Sequence, residues 1–180
     1  MDKDNILRAK KIFLKYGGSH FHMEREGELE TYRKFSISNA QEDLWINEYQ
    51  NDLLLKVENE DIVSHSFLQL IDVLQRSKNI ICIKSLLSIV KKNGNQMDTF
   101  SQVLMSEGIL SIAESLKGNI ETENIKIIEE AKKTALNLLN NLIKKPIIVG
   151  SYFSNIDYLK DVITEDKIKN RIKSNIKKCK

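Results

Sequence analysis

A single proline and seven glycines in 180 residues leave this chain few places to turn sharply. A sandwich or barrel of short strands needs a turn roughly every 8–12 residues, built from Gly, Pro, Asn and Asp. Asparagine is plentiful, but a chain this poor in proline reads as mostly helical. With 41% hydrophobic and 29% charged residues it falls within the globular range, which excludes disordered, collagen-like and disulfide-scaffold classes. The length suits one domain, or one with an appendage.

Cys82 and Cys179 lie far apart in the chain and show neither CxxC nor zinc-finger spacing, so a reducing compartment is expected. Met-Asp-Lys-Asp at the start is followed by no apolar signal region, and no stretch of about 18 uncharged apolar residues occurs. The expectation is a cytoplasmic protein without a membrane span. Ile, Lys and Asn make up 63 of the 180 residues, a bias that points to AT-rich codons. That bias discounts lysine content as a functional signal.

Hydrophobic periodicity sets out three regions: an N-terminal cap at 1–57, a helical-repeat core at 58–146, and C-terminal helices with a basic tail at 147–180. In the cap, Ile6, Leu7, Ile12 and Leu14 mark a short helix stopped at Gly17-Gly18. Phe21 and Met23, then Gly27, then Leu29 and Tyr32 to Phe35 alternate in a way that predicts a β-hairpin. Ser38 with Gln41 three residues on has capping-box spacing, and Leu44, Trp45, Tyr49 and Leu53 continue a helical stripe. In the core, Val63 to Leu74 and Ile83 to Val90 mark a helix pair, and Met97–Ser106 and Ile109–Leu116 read as two short helices parted by Gly108. A long helix follows from Thr122 to Lys144, with Pro146 beyond its end. Short connections between such helices suit stacked antiparallel pairs.

Charge is uneven. Residues Lys167 to Lys180 hold seven Lys or Arg and no acid, while acids outnumber bases before them. Lys167, Lys169, Arg171, Lys173, Lys177 and Lys178 are candidates for contact with a polyanion, nucleic acid included. Ile168, Ile172 and Ile176 recur every four residues, which predicts a helix docked by its apolar stripe with its lysines in water.

Gly108-Ile109-Leu110 through Leu116, followed by Ile128, Ala131, Ala135, Leu139, Asn141 and Leu142, resembles an armadillo repeat. A second, degenerate unit spans about Ile62 to Lys92. The resemblance covers residues 62–143 and implies an armadillo/HEAT-like superhelix with an extended binding surface. It also implies a non-enzymatic protein-interaction role, with Asn141 where the family clamps a peptide backbone. Ile89 stands at the equivalent place in the preceding unit, and the matched ends Leu87 and Leu139 are 52 residues apart, against roughly 40–47 in such arrays. The overall class is thus all-α with a small N-terminal β-hairpin.

Other residues carry weaker chemical signals. On a strand, His20 and His22 share a face with Glu24 or Glu26, so His20, His22 and Glu26 are metal-ligand candidates, with His65 as a third nitrogen ligand; the alternative places both histidines on the solvent side of the hairpin. Glu24, Glu26, Glu28 and Glu30 suggest an acidic edge. No GxSxG, glycine-rich phosphate loop or Cys–His pairing occurs, so no enzyme and no cofactor is expected. Trp45 and Tyr49 are either core or a partner anchor. Small acidic-bodied helical proteins of this size resemble bacterial immunity proteins, which implies an inhibitor of a basic toxin. Its contacts would come from Glu58, Glu60 and Asp61 or from the acidic edge, with electrostatic steering.

Overall fold

Helices account for every regular element that the computed structural model describes, over residues 2–59, 65–118, 121–143, 145–157 and 160–179, with the backbone alone at Ser151 and Tyr152. They are α1 (Lys3–Lys15), α2 (His20–Arg25), α3 (Leu29–Arg33), α4 (Asn39–Asn59), α5 (His65–Ser77), α6 (Ile80–Asn93), α7 (Thr99–Leu116), α8 (Thr122–Leu142), α9 (Ser151–Ser154) and α10 (Glu165–Cys179). Among the described residues no helix is long and apolar enough to cross a membrane.

The first correction falls on the expected hairpin, which is replaced by the two short helices α2 and α3. Ser19 caps α2, its Oγ accepting from the His22 backbone N–H at 3.2 Å. Gly27, with φ +75°, takes the left-handed conformation that ends α2. The alternation of Phe21 and Met23 is therefore accidental: Met23 is buried, while Phe21 is 70% exposed. Met23, Leu29 and Tyr32 pack with Ala9, Phe13 and Trp45 into a small N-terminal core. The expected Ser38 cap is present, with its Oγ accepting from the Gln41 N–H at 3.3 Å.

The remaining helices alternate between two layers. α4, α6 and α8 lie side by side in one, and α5, α7 and α10 in the other; α4 packs across onto α5, and α8 onto α7 and α10. Helices within the first layer run parallel, as their bridges show. Lys84 pairs with Glu123 at 2.6 Å and Lys91 with Glu130, each across 39 residues of sequence. Asn79 Nδ2 donates to Asn47 Oδ1 at 3.1 Å, and the Cys82 thiol to Asn51 Oδ1 at 3.8 Å, so α6 follows α4 in the same direction. The main core fills the space between the layers, with Phe67, Leu70, Leu86, Val103, Ile112 and Leu139 among its buried side chains.

Gly108 requires a second correction. It does not separate two helices but lies inside the continuous α7. A Cβ there would stand 2.9 Å from Ile71 Cγ1 and 3.2 Å from Phe67 Cε1, so the missing side chain lets α5 approach α7 closely. α7 is apolar around most of its circumference, as befits a helix enclosed by α5, α8 and α10. Its start is capped by Asp98, whose Oδ1 accepts from the N–H groups of Phe100 and Ser101. The passage after α8 is tied there too: Ile148 N–H donates to Thr99 Oγ1 at 2.9 Å.

Candidate functional site

The sequence-derived candidates are dispersed by the fold. Trp45 is 3% exposed and lies 5.9 Å from the Phe13 ring, so it is a core residue with no face for a partner. Tyr49, one turn on, is half-buried; burial pushes its phenol above the usual range. Glu58 is exposed at the end of α4, whereas Glu60 and Asp61 lie outside the described residues. Asn141 is exposed, but its amide donates to Asn95 Oδ1 at 3.2 Å, which ties α8 to the turn after α6. It therefore stands by a polar neighbour of its own chain and not in a ladder of asparagines.

The metal-ligand set is not assembled. On a helix, residues two apart point about 200° away from each other, so the helical form of 20–25 sends His20 and His22 to different sides. His20 Nε2 lies 2.9 Å from Glu42 Oε1, Glu26 pairs with Arg25, and His65 faces Gln69 on α5. Among the described residues no group of three or more His, Cys, Asp or Glu is placed to hold a metal ion.

The basic tail is a docked helix. Ile168 and Ile172 are buried, and Ile176 packs against the core. Arg171 makes a two-pronged pair with Glu107 on α7, with Nε 2.9 Å from Oε1, and its guanidinium lies 5.1 Å above the Phe100 ring. Asn175, also buried, donates to the same Oε1 at 2.9 Å. Lys169 pairs with Glu165, and Lys167 donates to the Asp161 carbonyl. Lys173 and Lys177 remain exposed on the outer side, and Lys178 is exposed at the edge that faces α7 and α8.

Three surface features are built by the fold. The first is a polar cleft of about 560 Å³ between the end of α1, α4 and α5. On its wall the Glu42 carboxylate, 15% exposed, accepts at one oxygen from the Tyr32 hydroxyl at 2.6 Å and faces His20. Burial and that carboxylate hold the Tyr32 phenol well above the ordinary range, so Tyr32 serves as a permanent donor. The arrangement binds α2 and α3 to α4, with the carboxylate already occupied by donors. Asn79, Gln50 and Ser77 form a further amide–hydroxyl chain at the cleft edge.

The second feature is the outer side of α4. Leu44, Asn51 and Leu55 recur there at intervals of seven and four residues, one helical stripe; the two leucines are 52% and 56% exposed. Beside it, next to the Cys82 that reaches Asn51, Ile81 is 77% exposed. The third is a cleft of about 600 Å³ over α7, bordered by α5, α8 and α10. None of its residues was singled out from the sequence for that role. Gln75, Glu107, Lys132 and Lys178 come from four helices, and no local pattern announces their meeting.

No protein-family model matches the chain, and no curated protein and no solved structure matches it.

Proposed function

We propose that the chain is a non-enzymatic protein-interaction module of the helical-repeat, HEAT-like type. Two-layer alternation with parallel neighbours supports the repeat reading; α8 is offset from α6 by 39 residues and α6 from α4 by 31–32, so the stacked units are of unequal length. With α7 unbroken, the units of this reading are helix pairs and not three-helix repeats, with α7 packed on α8 and α4 on α5. The 52-residue offset between Leu87 and Leu139 then reflects the greater length of α8, and not the period of stacking.

The observation that carries the interaction role is the outward stripe of Leu44 and Leu55 with Ile81 beside it. Large apolar side chains grouped with amides on a helix face form the kind of patch that a protein partner desolvates. Within this class, an inhibitor of a basic protein is the narrower reading. It is supported by Glu58, exposed beside that face and in no salt bridge among the described residues. Copurification from source lysate with and without nuclease tests the role. A stoichiometric protein that survives nuclease and is lost with Leu44→Asp or Ile81→Asp is expected, both variants keeping the parent circular dichroism spectrum. Retention of the partner by both variants refutes the assignment of this face, and recovery abolished by nuclease moves the role to nucleic acid.

A further inference from the structure

The cleft over α7 has a composition that the interaction role does not use. Its lining is more apolar than polar, its floor is the middle of α7 at Leu110 with Ala113 buried beneath, and its rim carries Lys117, Lys132 and Lys178. The two carboxylates that line it are already engaged. Glu107 is held by Arg171 and Asn175, and Glu114 pairs with Lys117 at 2.5 Å. Lys132 and Lys178 make no salt bridge among the described residues, so the rim presents two uncompensated cations over an apolar floor. Gln75, from α5, adds an amide without a hydrogen-bond partner among the described residues. The hydroxyls of Ser111 and Ser115 donate back to carbonyls of α7, which leaves the lysines and Gln75 as the donors available to a ligand.

We propose that this cleft binds a small amphipathic monocarboxylate, with the hydrocarbon body over Leu110 and the methylene stems of the rim lysines and the carboxylate between Lys132 and Lys178. Size and chemistry both favour this class. A volume of about 600 Å³ lies within the range of single small-ligand sites, which are mostly apolar with a few polar groups that fix orientation. An extended peptide would need amide partners repeated along its length, and one glutamine cannot supply them. A polyphosphate would gain nothing from the apolar floor. The inference is independent of the α4 face, and its failure leaves that role standing.

The probe is octanoate, titrated calorimetrically into the full chain, with 1-octanol and acetate as the two half-ligands. One saturable site below about 1 mM is expected for octanoate, with neither half-ligand matching it. Lys132→Glu and Lys178→Glu are each expected to weaken binding by about threefold or more, and the pair together to abolish it, because each removes one exposed cation contact. Amide NMR shifts on titration are expected around residues 107–117 and 175–178. Any one of four results overturns the proposal: no saturation below about 1 mM, equal affinity for octanol or for acetate, unchanged affinity in both lysine variants, or shifts centred elsewhere.

Discussion

Gly108→Ala sets two calculable effects against each other. Alanine in a helix interior is favoured over glycine by roughly 0.5–1 kcal/mol through backbone entropy alone. Against that, the new methyl would sit 2.9 Å from Ile71 Cγ1, 3.0 Å from Ile71 Cδ1 and 3.2 Å from Phe67 Cε1. Neither neighbour can swing away. Phe67 is fully buried, and Ile71 is buried and β-branched, with a stiff first torsion. Overpacking of this kind costs roughly 1–3 kcal/mol, so the net effect is a loss near 1 kcal/mol, or about 2–4 °C in Tm for a chain of this size. Gly118→Ala is the internal control, because a Cβ there meets no atom within 4 Å. It is expected to be neutral or to stabilise by about 0.4–1 kcal/mol through the unfolded state. Urea unfolding followed by far-UV circular dichroism reads both. Ile71→Val supplies the cycle: it should cost about 0.5–1.5 kcal/mol in the parent and clearly less in the Gly108→Ala background, since it removes Cδ1 from the clash. A Gly108→Ala variant as stable as the parent, or an Ile71→Val cost identical in the two backgrounds, refutes close α5–α7 packing as the role of this glycine.

Two further outcomes follow from side-chain environments. The phenols of Tyr32 and Tyr49 are both pushed up, chiefly by burial, so the folded state holds these protons more tightly than the unfolded one. Their contribution to stability is therefore intact below pH about 10 and is lost as pH rises beyond it; alkaline titration of tyrosine absorbance should show at least two late groups, one of them absent in Tyr32→Phe, and a single transition near pH 10 for every tyrosine of the folded chain contradicts this. Arg171→Leu leaves the partly exposed Glu107 carboxylate with Asn175 alone, and a loss of about 1–3 kcal/mol by urea unfolding is expected, whereas an unchanged midpoint shows that the pair adds nothing to the docking of α10.

Helix periodicity was the legible part of the chain. The stripes in α5, α6 and α8 are amphipathic over three turns or more, long enough that period 3.6 cannot be mistaken, and Ile168 with Ile172 marked the buried side of α10. The segment from Ser19 to Phe35 was not legible for the opposite reason. α2 and α3 have six and five residues, too few for a helical period to show, and a window that short can alternate by chance. A local signal did exist: Ser19 stands three residues before His22, the spacing of a side-chain cap, and Gly27 supplies the left-handed stop. Gly108 misled because glycine has two uses in a helical protein, as a terminator and as a contact point. Only the position of Ile71, 37 residues earlier, decides between them. The clefts were illegible on the same principle, since the distances that define them are tertiary.

The tail shows how a composition signal changes once partners are known. From sequence, the run from Lys167 to Lys180 offers seven cations to a polyanion. In the fold Arg171 is committed to Glu107, Lys169 to Glu165 and Lys167 to a carbonyl oxygen. Among the described residues of the run this leaves Lys173 and Lys177 on the outer side of α10 and Lys178 at the rim of the cleft over α7; Lys180 lies outside them. Each phosphate neutralised contributes a slope of about −0.9 to log K against log salt on duplex DNA, so three contacts give about −2.7 where seven would give about −6. A salt slope that shallow is what the three described lysines would give, and the helix that carries them is needed elsewhere: Ile168 and Ile172 complete the core, so α10 is held by packing whether or not a ligand is bound. The charge asymmetry suits a helix that must be polar on its outer side, in a chain rich in lysine throughout.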